Sequence, residues 1–202
     1  MVTEYLVKVA LLGAEWVLYA LIILSAISVA FIIERVLVVK RTGKVLQAIE
    51  DRSLGLPGCE KLKCENSTEM KLLALVKETA EKTGTENMEL LQGQLEGIVG
   101  RYRRHLERYT AFLGTLGNNA PFLGLLGTCI GVIDAFFQLG VNVDGGAGAV
   151  MAGISEALVA TATGIAVALP AVVAYNFISK AADQAVERFV QLAWTVVRGG
   201  KI

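Results

Sequence analysis

Residues 148–178 read GAVMAGISEALVATATGIAVALPAVVAYNFI, a run of small and apolar side chains interrupted by one acid, Glu156. The run exceeds the roughly 20 residues that a helix needs to cross a hydrocarbon core. A carboxylate in such a run costs about 2.5–3.5 kcal/mol on insertion, so it usually marks a polar pathway and not a lipid-facing surface. The functional reading is that this helix lines an ion path and the rest of the chain positions it. The bland reading is a carboxyl that snorkels to the outer interface, since Glu156 lies toward that end. Thr161 follows five residues later, about 7.5 Å along a helix axis and about 140° around it. The two share a face only loosely. A polar track between them needs water or a hydroxyl from another span, and Thr128 is the candidate.

Composition supports a membrane setting. Hydrophobic residues make up 54% of the 202, and mean hydropathy is +0.55. Soluble domains usually hold roughly 45–50%. Formal net charge is zero, which leaves no basic footprint for nucleic acid. Cys59, Cys64 and Cys129 make no disulfide framework. The C-x4-C pair lacks the spacing and further ligands of a zinc site, so it reads as reduced thiols. No metal and no cofactor is expected. The N-terminus carries Glu4, Glu15 and a single Lys8, without the basic region and cleavage site of a secretory leader. The first apolar run is therefore expected to be a retained anchor.

Outward from the decisive run, the chain divides into seven stretches. Residues 1–15 form an outer-side segment. Residues 16–34 form the first span, with Trp16 and Tyr19 suited to one interface and Arg35, Lys40, Arg41 and Lys44 flanking the other. Residues 35–110 are polar and helical. Asn66 with Glu69 resembles a capping box, Gly84 ends that helix, and Thr85 caps the next with Glu86 and Glu89 in its first turn. The stripe Leu91, Leu95, Ile98, Tyr102, Leu106, Tyr109, Leu113 predicts one continuous amphipathic helix running into the membrane. Residues 111–139 form the second span, 140–148 a short outer loop holding Asp144, and 149–178 the third span. Residues 179–202 continue as a C-terminal helix.

The fold class expected is all-α and integral to the membrane, with three spans, the second and third extended into the cytoplasm as long helices. Of 19 Lys and Arg, only Lys8 falls on the outer side, so the N-terminus is outside and the C-terminus inside. Small residues line one face of each later span, including Gly124, Gly127 and Gly131 in the second and Gly153 and Gly164 in the third. Such stripes let helix backbones approach closely. Pro121 and Pro170 each remove a backbone donor and predict bends.

The spans hold no Lys, Arg or His, so Glu156 is protonated, hydrated, or satisfied by another chain. Thr161 and Thr163 either line the path or bond the carbonyl three or four residues back. Asp134 is either a second relay acid or an interface residue held by Gln138 or a neighbouring chain. His105 reads as a headgroup-level residue among arginines. The glycines at 124–127 precede Thr128 and no lysine, in an apolar span, so they form no phosphate loop. No nucleophile–base set appears, and no enzyme is expected.

APFLGLLGTCIGV at 120–132 and ISEALVATATGIAVALPAVVAYN at 154–176 resemble the MotA/TolQ/ExbB proton channel family, on its TolQ/ExbB side. The resemblance implies a homopentamer in the bacterial inner membrane, in contact with membrane lipids. Its lumen would hold two single-span partners of the TolR/ExbD type, each with an essential aspartate. Proton flow through that pairing would drive motion for work at the envelope. By motif, Glu156 matches the third-span acid, Thr161 its threonine, Thr128 the second-span threonine, and Pro121 and Pro170 the family's prolines. Asp134 lies outside the pattern. Two other readings compete: a passive multi-span scaffold, and a substrate transporter, which three short spans without a repeat disfavour.

Overall fold

The computed structural model describes residues 15–53, 67–83, 87–141 and 146–198, and each of these stretches is helical. The helices are α1 (Glu15–Ser53), α2 (Thr68–Thr83), α3 (Met88–Leu106), α4 (Thr110–Val141) and α5 (Gly146–Val197). Three of them, α1, α4 and α5, are long and apolar enough to cross a membrane. Several expectations fall outside the described residues: Glu4 and Lys8, Cys59 and Cys64, Asn66, Gly84, Thr85 and Glu86, Asp144, and Lys201.

The described chain forms two compact units. One holds residues 15–32 and 111–175. Its core is small: Val17 and Leu21 of α1 meet Leu116, Ala120 and Ile130 of α4 and Val167, Ala168 and Ala171 of α5. Phe31 packs edge-on against Phe112, with ring centroids 5.3 Å apart, a favoured aromatic geometry. Large apolar side chains point outward around it, among them Ile23, Phe122, Leu158 and Val173, each at least 60% exposed. A soluble unit does not carry an apolar surface of that extent without a cover of lipid or protein.

The other unit holds residues 33–110 and 176–198 and is built like a soluble helical domain. Leu46, Ile49, Leu73, Val76, Leu91, Leu95 and Ile98 are fully buried or nearly so. Tyr102 stacks at a tilt on Phe189, with centroids 4.6 Å apart. The Tyr102 phenol is buried with no hydrogen-bond partner of acceptable geometry. Burial first, and the nearby Glu69 carboxylate second, hold its pKa well above the usual phenol range. On the surface, Arg103 donates to Asp183 at 2.8 Å, an exposed pair worth about 1 kcal/mol at most.

The expected continuous helix is corrected. The stripe Leu91, Leu95, Ile98, Tyr102, Leu106 and Leu113 is buried, but α3 ends at Leu106 and α4 begins at Thr110. The second span is therefore not carried on as one long helix with α3. It is α1, at 39 residues, and α5, at 52, that are long. The break has a cause that local periodicity does not contain. Tyr109 takes a left-handed conformation, φ 64°, which costs a bulky residue about 1–3 kcal/mol. Its ring is covered by the guanidinium carbons of Arg35 and Arg108, 5.3 and 4.7 Å from the centroid. Arg35 is buried and donates to the His105 carbonyl at 3.2 Å, so a cation from α1 closes the carboxyl end of α3.

The expected capping box rests on Asn66, which lies outside the described residues. The cap of α2 is Ser67, whose Oγ accepts the Met70 N–H at 3.2 Å. Glu69 accepts from Thr42 Oγ1 of α1 through its Oε1 at 3.1 Å. Ser67→Ala is expected to cost about 1 kcal/mol, read as a lower midpoint in thermal unfolding. α3 is preceded by Asn87, which makes no side-chain cap.

Candidate functional site

The site grows from where α4 and α5 touch. A Cβ added at Gly164 would lie 2.6 Å from the Ala120 carbonyl oxygen and 3.0 Å from the Gly124 Cα. One added at Gly124 would lie 2.8 Å from the Ala160 oxygen and 2.9 Å from the Thr161 Cα. The backbones are therefore in contact, as only glycine allows. Gly127 meets the Ala160 methyl and Gly153 the Ala135 methyl at similarly short range. Gly131 is buried on the same helix. Pro121 and Pro170 both lie inside their helices, α4 and α5.

Close packing of Gly127 on the Ala160 methyl fixes what comes next. One residue further on, each antiparallel helix turns its side chain to the same flank of the pair. Those residues are Thr128 and Thr161. Thr161 Oγ1 donates to Thr128 Oγ1 at 3.4 Å, and Thr128 Oγ1 donates to the Leu125 carbonyl at 2.7 Å. The result is a short hydroxyl chain between two helices. Thr163 instead donates to the Val159 carbonyl at 2.8 Å, one turn back on its own helix.

Glu156 is exposed, and among the described residues nothing in the chain bonds to it. It stands apart from the threonine pair. Asp134 is half-buried and accepts from Gln138 Nε2 at 2.8 Å, within α4. The structure thus brings Thr128 and Thr161 together, ties Asp134 to its own helix, and leaves Glu156 open to whatever lies outside the chain. The chemistry available is that of a carboxyl and, separately, of hydroxyls that both donate and accept. The Leu125 carbonyl, which ends the hydroxyl chain, was missed in the sequence. The signal was there in principle, because a membrane threonine commonly donates three or four residues back.

The chain is similar to several proteins of known role. The sequence pattern of the MotA/TolQ/ExbB proton channel family matches residues 66–191, well over half of the chain. The biopolymer transport protein ExbB of Pseudomonas putida is 38% identical over 112 residues, 55% of this chain and 32% of that protein. The Tol-Pal system protein TolQ of Pseudomonas aeruginosa is 35% identical over 106 residues, 52% of this chain and 46% of that one. TolQ of Haemophilus influenzae is 32% identical over 139 residues, 67% of this chain and 58% of its own length. The chain thus spans from about a third to somewhat over half of the curated relatives it matches. The matched region contains α2 to α4 and most of α5, including the threonine pair and Glu156, and the named relatives lie on the TolQ/ExbB side. The chain therefore belongs to the MotA/TolQ/ExbB proton channel family, in its TolQ/ExbB branch.

Proposed function

We propose that this chain is the channel subunit of an inner-membrane machine that couples the proton-motive force to mechanical work at the cell envelope. The observation that carries the reading is Glu156: a carboxyl in an apolar helix, exposed and without a partner among the described residues. An acid in that setting needs other chains or water around it. The Thr161–Thr128 pair lies about 7.5 Å inward by the helix rise and lends hydroxyl groups to the same path. Asp134 serves the outer half of the path. Pro121 and Pro170 bend the spans, and Gly124, Gly127, Gly131, Gly153 and Gly164 allow the helices to close up.

In this reading five copies surround a lumen lined by α4 and α5. Two single-span partners of the TolR/ExbD type stand inside it, each presenting an aspartate to Glu156. The exposed apolar surface of the membrane unit is shared between sister copies and lipid. The N-terminus is periplasmic and the C-terminus cytoplasmic, following the distribution of Lys and Arg. Names of relatives support this assignment: ExbB proteins are biopolymer transport proteins and TolQ proteins belong to Tol-Pal systems.

The test is co-expression with a single-span protein carrying an intramembrane aspartate, followed by intact-mass measurement of the purified complex. Five copies of this chain with two of the partner are expected, and reconstituted complexes pass protons when a potential is applied. A monomeric particle that passes none refutes the reading.

A further inference from the structure

A polar cavity of about 290 Å³ lies within the soluble-like unit, between α1, the start of α2 and the end of α3. Its lining includes Val38, Arg41, Thr42, Ser67, Glu69 and His105. The charges in it are oddly matched. Arg41 and His105 are exposed, while Glu69 is only 6% exposed. Among the described residues no ion pair joins them; Thr42 donates to the carboxylate, and the buried Tyr102 hydroxyl lies near it. A buried carboxylate without a cation is strongly unfavourable. Arg41 and His105 face the same space and pair with no carboxylate among the described residues, a second mismatch. One ligand that carries both signs of charge resolves both.

We propose that this cavity binds the phosphoethanolamine headgroup of a membrane lipid. The phosphodiester meets Arg41 and His105, with backbone N–H groups in the first turn of α2 as further donors. The ammonium meets the Glu69 carboxylate and donates hydrogen bonds to it. The depth fits, given that α1 crosses the membrane. Leu37 is the last large apolar side chain exposed along α1, at 63%. Arg41 comes one turn later, about 6 Å along the axis. The polar layer of a leaflet is about 5–8 Å thick, so the cavity opens at headgroup level.

The same chemistry occurs in water-soluble phosphoethanolamine esters, so the test separates the two sources. The protein, purified with its partner chains and stripped of lipid, is titrated with phosphatidylethanolamine, phosphatidylcholine or phosphatidylglycerol and read by native mass spectrometry. Phosphatidylethanolamine is expected to be retained at least tenfold better than phosphatidylcholine, whose quaternary ammonium has no N–H to give. Glu69→Gln erases that preference. Arg41→Gln, at an exposed position where folding is not at stake, weakens retention of phosphatidylethanolamine and phosphatidylglycerol alike by at least fivefold. Equal retention of the three lipids, an unchanged preference in Glu69→Gln, or undiminished retention in Arg41→Gln overturns the proposal. Displacement of the lipid by glycerophosphoethanolamine at equal concentration overturns the lipid assignment in favour of the soluble ester. Failure here leaves the channel reading intact, because Glu156 and the threonine pair take no part.

Discussion

Glu156→Gln is expected to insert and assemble like the parent and to lose essentially all proton-driven work. The side chain keeps its size and its place on α5, and it breaks no bond among the described residues, since none of them reaches Glu156. What disappears is the ability to take up and release a proton. The amide is also cheaper to hold in an apolar helix than an ionised carboxyl, so stability should hold or rise. Two measurements separate the effects. Intact mass of the purified complex should match that of the parent. Proton flux in reconstituted vesicles, and envelope work in cells lacking the parental gene, should fall by at least a hundredfold. A variant that works at parental rate removes Glu156 from the path and leaves the scaffold reading standing.

Gly164→Val is expected to be the most damaging change to folding. The added Cβ would lie 2.6 Å from the Ala120 carbonyl oxygen and 3.0 Å from the Gly124 Cα. Both neighbours are backbone, so neither can rotate away as a side chain would. Overpacking in cores typically costs 1–3 kcal/mol, and a clash between main chains should reach or exceed about 3 kcal/mol by the same reasoning. Loss of the assembled particle on size-exclusion chromatography is the expected result. Gly97→Ala is the control, because nothing lies within 4 Å of a Cβ there. It should gain up to about 1 kcal/mol from helix propensity. Equal tolerance of both substitutions would mean that α4 and α5 are not in backbone contact.

The sequence disclosed most of what depends on near neighbours. The apolar runs mark α1, α4 and α5, because a membrane-crossing helix needs length and apolarity and both are local. The burial of Leu91, Leu95, Ile98, Tyr102 and Leu106 follows from their spacing. What it hid depends on distant partners. The stripe keeps its register through Tyr109 and Leu113, so nothing local announces the end of α3. Arg35 comes 70 residues before His105, whose carbonyl it closes. Glu69 accepts a bond from Thr42 of α1, 27 residues earlier. For the site, the types and spacing of Glu156, Thr161 and Thr128 were legible. The direction of the bond between the two threonines was not, because it follows from where Thr128 sends its own proton.

The contact of Gly124 with Gly164 has a mechanical consequence. Side chains can change rotamer and let two helices slide, but main-chain atoms already touching offer no such slack. Helices α4 and α5 should therefore travel as one stave wherever they meet. Whatever turning or tilting protonation sets off has to be taken up along the outer flanks of that stave, where Phe122, Leu158 and Val173 face away from it.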